Sequence, residues 1–97
     1  MKFKKGVRLD GIRGPALQIL IEAEPIWNEQ KALLVVTSGL DSHESRPKSL
    51  HNEGLAFDLR IWDLKNPAEA AKKLATALGD SYDVILEKDH IHAEFDV

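Results

Sequence analysis

The chain has 97 residues, a formal net charge of −3 and no cysteine. This length predicts a single domain covering residues 1–97. The composition, 43% hydrophobic and 30% charged, is typical of a folded globular protein. Without cysteine there is no disulfide, no nucleophilic thiol and no thiolate metal ligand. The negative net charge gives no general attraction to nucleic acid, so we expect no nucleic-acid partner.

No apolar run approaches the roughly 20 residues that a membrane-spanning helix needs. The charged start of the chain is not followed by the apolar stretch of a signal peptide. We therefore expect no membrane partner and a cytoplasmic location for the chain as synthesised. The sequence leaves the oligomeric state open, with a monomer favoured.

The first predicted element is a helix that begins at Gly14-Pro15, since proline suits the first turn of a helix. Apolar residues follow at helical spacing up to Pro25, which is expected to end or kink the helix. Leu33 to Thr37 is short, apolar and partly β-branched, and it predicts a buried strand. Residues 38–50 form a predicted loop, which is long for so small a domain and is therefore a candidate functional segment.

The second half of the chain predicts three strands and a helix. Gly54 to Trp62 alternates between apolar and polar residues, as a strand with one buried face does. A second helix runs from a cap at Asn66 to a stop at Gly79. Tyr82 to Glu87 and His90 to Val97 are strands around a tight turn at Lys88-Asp89. Together the elements predict an α/β (α+β) domain, with two helices packed on one face of a mostly antiparallel sheet of about four strands.

Residues able to bind a metal fall on the polar faces of the predicted strands. Alternation places His90, His92 and two acidic residues on the face of the last strand that is opposite its apolar residues. Asp58 lies on the polar face of its own strand, so a carboxylate and an imidazole meet if the strands are neighbours. His51 precedes Asp58 by seven residues, and Gly54 allows the chain to turn between them.

Three nitrogen and oxygen ligands with an open fourth position characterise catalytic zinc, which lowers the pKa of bound water to about 7. His51, Asp58 and the two histidines of the last strand, His90 and His92, are therefore candidates for a zinc site. An alternative is a cupin-like or carbonic-anhydrase-like site with both His90 and His92 as ligands, but it gives the spacing of His51 and Asp58 no role. Taken singly, each residue has a commoner role as a solvated or hydrogen-bonded surface group.

Two motifs resemble a known superfamily. Residues 49–58, SLHNEGLAFD, have the pattern S-x-H-x-x-G-x-A-x-D, and residues 90–92 have the pattern H-x-H. Together they are similar to lysostaphin-type enzymes, D-Ala-D-Ala metallopeptidases and hedgehog amino-terminal domains over roughly residues 14–97, with Thr37-Ser38-Gly39 matching the peptidase branch. The resemblance implies a fold of that superfamily and a zinc ion held by three ligands: His51, Asp58 and His92.

The resemblance also implies roles for residues beside the metal. His90 would contact the substrate carbonyl or the developing oxyanion without binding zinc. Peptidase relatives place a general base three residues before the last ligand, which is Asp89 here, whereas Glu87 is the rival because hedgehog-like members carry their glutamate further upstream. Asp89 is favoured because a carboxylate on a turn can reach over the metal, although an aspartate there also suits a simple turn.

The loop after Ser38-Gly39 departs from the peptidase pattern. Peptidase relatives commonly have an arginine there that binds a substrate carboxylate, but here Leu40-Asp41 follows. Three arginines are candidates for that contact: Arg13, Arg46 and Arg60. Acids in this loop form a calcium site in hedgehog domains, but Asp41 and Glu44 are too few for the six to eight oxygens that calcium prefers. His43 is either a further cleft residue or a solvated one.

The expected function is a zinc-dependent peptidase that cleaves peptidoglycan stem peptides or related D-amino-acid peptides, as a carboxypeptidase or an endopeptidase. Since the chain has neither a signal nor a wall-binding module, we expect a phage-encoded enzyme released to the cell wall by another factor, or a cytosolic dipeptidase. The alternative function is a hedgehog-like zinc domain, with or without calcium, that acts as a binding or structural module without turnover.

Overall fold

The computed structural model describes residues 1–39 and 55–96. Its strands form one mixed sheet in the order β1-β2-β3-β5-β4, and buried residues of both helices share one apolar cluster with the sheet. The elements in chain order are β1 (Lys2–Phe3), α1 (Gly14–Glu29), β2 (Val35–Ser38), β3 (Ala56–Arg60), α2 (Pro67–Leu78), β4 (Tyr82–Leu86) and β5 (His90–Phe95).

The prediction of a mostly antiparallel sheet of about four strands was wrong in the number of strands, because the sheet has five and one of its pairings is parallel. The additional strand, β1, pairs in parallel with β2 and places Lys2 opposite Val35, whereas the other three pairings are antiparallel. Two backbone hydrogen bonds of 2.8 Å hold β1 in the sheet. The Lys2 N–H donates to the Leu34 carbonyl, and the Lys4 N–H donates to the Val36 carbonyl. A strand of two residues is too short to show alternation, so its sequence carries no pattern that could predict it.

Strands β3 and β5 have the predicted alternation. Phe57 lies opposite Ala93 and Leu59 lies opposite Ile91, and all four side chains are fully buried against the helices. Burial of each large apolar side chain stabilises the fold by about 1.5–3 kcal/mol. The polar residues between them must therefore lie on the opposite face of the sheet.

Helix α1 continues through Pro25 to Glu29 and so does not end at Pro25, one of the two outcomes predicted for this residue. Proline cannot donate a hydrogen bond to the carbonyl of Ile21, but both residues lie on the exposed side of the helix. The turn that follows is kept because it buries Ile26 and Trp27. The indole N–H of Trp27 also donates to the carbonyl of Arg60 at 3.2 Å, which ties α1 to β3.

Helix α2 has the predicted ends. The Asn66 side chain accepts a hydrogen bond from the Glu69 N–H at 3.1 Å, and Gly79 follows the last turn with a φ of 86°. Ala70 and Leu74 pack into the core. Neither this helix nor the other in residues 1–39 and 55–96 is long and apolar enough to cross a membrane.

Gly39, which follows β2, is a position where a side chain does not fit. An added Cβ would lie 2.7 Å from the carbonyl oxygen of Arg8 and 3.3 Å from the ring of Phe57. We expect Gly39→Ala to lower the free energy of unfolding by about 1–3 kcal/mol, because backbone and core must shift, as measured by urea denaturation. The control is Gly14→Ala, where a Cβ meets nothing within 4 Å. An equal loss in both variants would contradict the steric explanation.

Candidate metal centre

Asp58 and His92 meet at the centre of the sheet. They are directly opposite each other on β3 and β5, and both are largely buried, with 8% and 9% of their surface exposed. Nδ1 of His92 lies 2.9 Å from Oδ1 of Asp58. The structure therefore brings together two of the three predicted zinc ligands.

Glu94 contacts the other ring nitrogen of His92. It lies two residues further along the same face of β5, and its Oε1 is 2.6 Å from Nε2 of His92. When Nε2–H donates to this carboxylate, Nδ1 is directed at Asp58 and is the nitrogen left to bind a metal. The sequence predicts that Glu94 lies on the same face as His92 but indicates no role for it. Its spacing of two residues from His92 is the sequence feature that could have suggested a contact between them.

In the metal-free protein the two carboxylates favour a protonated imidazole. Burial of the ring opposes protonation, but the hydrogen bonds and negative charges of Asp58 and Glu94 outweigh that effect and raise the pKa of His92. A metal ion at Nδ1 needs the neutral ring, so binding would release this proton. The affinity of the centre for a metal should therefore fall as the pH is lowered.

His90 and Asp89 lie beside Asp58. Nδ1 of His90 is 2.5 Å from Oδ1 of Asp89, and Nε2 is 3.6 Å from Oδ1 of Asp58, which is a contact too long for a hydrogen bond. The hydrogen bond with His90 lowers the pKa of Asp89, so this carboxylate is ionised at neutral pH. All three residues line one cavity of about 800 Å³ on the polar face of the sheet.

Glu87, the other predicted base, lies on the far side of the turn. Its backbone N–H donates to the carbonyl of His90 at 2.8 Å and closes the hairpin between β4 and β5. Glu87 is not among the described residues that line the cavity, whereas Asp89 is. Of the two candidate bases, Asp89 is thus the one that shares a cavity with Asp58.

The third predicted ligand, His51, lies outside the described residues. Among the arginines considered for a substrate carboxylate, Arg60 lines the cavity and Arg13 is the N-cap of α1. The other predicted loop residues also lie outside the described ranges: Asp41, His43, Glu44 and Arg46.

A group of three acids lies next to Glu94. Within the described ranges, carboxylate oxygens of Asp83, Glu94 and Asp96 lie within 4.8 Å of one another. The side-chain hydrogen bond with Asp96 raises the pKa of Asp83, as do burial and the neighbouring negative charges. Exposed acidic groups of this kind are common in proteins without an ion, so the group by itself does not indicate a metal site.

Comparisons of the chain with protein-family models, curated proteins and solved structures find no match. Membership of the zinc-peptidase superfamily therefore stays a prediction from the two motifs, and the functional assignment depends on the geometry of the centre.

The contacts of His92 predict its behaviour on titration. In the metal-free protein we expect its imidazole to titrate above its ordinary pKa of 6.5. Because the folded pKa is raised, the stabilisation is fully present below 6.5 and is lost as the pH rises through the folded value. Histidine NMR signals followed against pH test this prediction.

Glu94→Gln should lower the pKa of His92, whereas Glu69→Gln, on the exposed surface of α2, should leave it unchanged. A pKa of His92 below 6.5 in the metal-free wild type would contradict the arrangement.

Proposed function

We propose that the chain is a zinc-dependent peptidase of the superfamily that contains D-Ala-D-Ala metallopeptidases, lysostaphin-type enzymes and hedgehog domains. The proposed zinc ligands are His51, Asp58 and His92. The observation that carries the proposal is the series Asp58–His92–Glu94, in which Asp58 and His92 are buried and contacts of 2.9 Å and 2.6 Å occupy the two ring nitrogens.

The spacing of Asp58 and His92 fits a zinc ion. Zinc lies about 2.0–2.2 Å from nitrogen and oxygen ligands in a tetrahedral arrangement, so two such ligand atoms are about 3.3 Å apart. The 2.9 Å between Oδ1 of Asp58 and Nδ1 of His92 needs only a small side-chain shift to reach that separation. Metal-binding histidines commonly donate their second N–H to a carboxylate, which orients the ring. Glu94 is placed for this role.

The residues around the centre supply the remaining chemistry of peptide hydrolysis. Zinc, when bound, would polarise the peptide carbonyl and lower the pKa of a water to about 7. Asp89 accepts the proton of the attacking water and returns it to the leaving amine. Nδ1 of His90 is hydrogen-bonded to Asp89, and its Nε2–H would donate toward the oxygen of the carbonyl under attack.

The proposed substrates are peptidoglycan stem peptides or related D-amino-acid peptides, cleaved at an internal or a C-terminal bond. The superfamily resemblance supports this choice, and the proposed source is a phage-encoded enzyme that acts on the cell wall. A non-catalytic hedgehog-like zinc domain is the second candidate function, favoured by Leu40-Asp41 in place of the peptidase arginine.

Zinc content and turnover should separate ligands from catalytic residues. We expect His51→Ala and His92→Ala to lose stoichiometric zinc, measured by elemental analysis after gel filtration. His90→Ala should keep zinc and lose turnover by a factor of about 10²–10³, since it removes an oxyanion contact. Turnover is measured as new amine ends released from peptidoglycan and synthetic stem peptides, with and without chelator.

The control is Asp83→Asn, which should keep both zinc and turnover. Loss of zinc in this control would indicate that the metal binds at the neighbouring acidic group of Asp83, Glu94 and Asp96. Loss of zinc in His90→Ala would favour the double-histidine site. One bound zinc in the wild type without release of amine ends from any substrate would favour the binding module.

The two hypotheses for the general base, Asp89 and Glu87, differ in which variant they predict to be inactive. We expect Asp89→Asn to lower turnover by a factor of about 10²–10⁴, because it removes general-base catalysis. Glu87→Gln, a matched loss of one carboxylate two residues away, should stay within about threefold of wild type. Steady-state rates at saturating substrate, with equal zinc content verified, provide the measurement. The reverse result would identify Glu87 as the base.

A further inference from the structure

The cavity that contains Asp58 has an uneven distribution of charge. Among its described lining residues, four are cations and only two are carboxylates, Asp58 and Asp89, although the chain as a whole has a net charge of −3. The cations are Lys2, Lys4, Lys5 and Arg60. A surface with an excess of one sign of charge attracts ligands of the opposite sign, so the lysine end of this cavity favours an anionic group.

The three lysines are available to a ligand. Lys2, Lys4 and Lys5 are exposed and form no ion pair with any residue in the described ranges. Arg60 differs, because it already pairs with Asp63 at 3.0 Å and lies over the ring of Trp62 at 5.0 Å. The lysines therefore supply the uncompensated positive charge of the cavity.

The register of the sheet sets the distance between the lysines and the candidate metal centre. Lys2 lies opposite Val35 on β2, and Arg60 on β3 lies opposite His90 on β5. Neighbouring strands are about 4.8 Å apart, so β1 lies about 10 Å from β3 and about 14 Å from β5. An extended peptide advances about 3.3 Å per residue, so three or four residues span this distance.

We propose that the lysines of the β1 edge, Lys2 and Lys4 above all, form a subsite for a carboxylate of the peptide substrate, three or four residues from the bond that is cleaved. This inference rests on the proposed peptidase function and adds a substrate class to it. The substrate is a peptide with an acidic side chain or terminus at that distance, whose backbone runs across the strands from Asp58 toward β1.

A single carboxylate suits this cavity better than a polyanion. An oligonucleotide would place a phosphate at every step along the cavity, including beside Asp58 and the ionised Asp89, where like charges repel. A peptide with one distant carboxylate places its negative charge only at the lysines. The apolar surfaces of Phe3, Leu33 and Trp62 also line the cavity and can contact the side chains of the peptide.

The test measures binding of peptides whose central peptide bond is replaced by an uncleavable ketomethylene group. Both ends are blocked, and a glutamate lies three residues from the ketomethylene group, on its amino side in one series and on its carboxyl side in the other. Each peptide has a glutamine twin. Fluorescence polarisation of labelled peptides with the zinc-loaded full chain provides the affinities, independently of turnover.

We expect the glutamate peptide of one series to bind about tenfold more tightly than its twin at low salt, since contacts with two exposed ammonium groups are gained. This preference should shrink in 0.5 M NaCl. Lys2→Gln/Lys4→Gln should reduce it to about twofold or less. The matched control Lys65→Gln/Lys72→Gln removes two exposed lysines that do not line the cavity and should keep it.

Absence of any preference for glutamate in the wild type would overturn the subsite, as would an equal loss in the control variant. Tighter binding of a ten-nucleotide single strand than of any peptide would also overturn it. Preference for glutamate without release of amine ends from any substrate would refute the peptidase but keep the subsite. Turnover without that preference would refute the subsite but support the peptidase function.

Discussion

The antiparallel pairing of β3 with β5 is the constraint on which both the core and the candidate metal centre depend. The register that buries Phe57 against Ala93 also places Asp58 opposite His92. Because side chains alternate between the two faces of a strand, a slip of one residue would move the polar pair into the apolar layer and expose the aromatic ring. The hydrophobic energy of the core thus holds the polar groups in position.

The polar groups in turn form hydrogen bonds with one another. Burying an unpaired carboxylate or imidazole is costly, and the contacts of Asp58 and Glu94 with the two nitrogens of His92 remove that cost on both sides of the ring. The raised pKa of His92 favours a proton on the ring in the absence of a metal, and a cation at Nδ1 would take its place. Strands support this pair, whereas Asp89 lies on the turn that precedes β5 and is held by its hydrogen bond with His90.

The edge of the sheet adds a different electrostatic environment to the same cavity. β1 pairs with β2 through its backbone, and its Lys2 lines the cavity together with Lys4 and Lys5, which follow the strand. Carboxylates therefore dominate near the middle of the sheet and ammonium groups near its edge. The net charge of −3 conceals this separation, because the average over a chain says nothing about how charges are arranged on one face.

Much of the fold was determined by local sequence signals. The alternation of residues 54–62 and 90–97 predicts which side chains of β3 and β5 face the core, and Asn66 and Gly79 predict the ends of α2. These signals depend on interactions within a few residues, so they can be recognised without knowing the rest of the chain. They also place Asp58, His90 and His92 on polar strand faces, although they do not show that those faces adjoin.

The tertiary structure decided which of these faces meet. Asp58 and His92 are 34 residues apart in sequence, and only packing of both strands against the helices makes them neighbours. The short β1, the continuation of α1 past Pro25 and the lysines beside the centre likewise depend on contacts between distant segments. The contact of Glu94 with His92 needs the ring to be directed by Asp58 across the sheet. Local sequence thus determined which residues face solvent or core, whereas long-range packing decided which of them form a site.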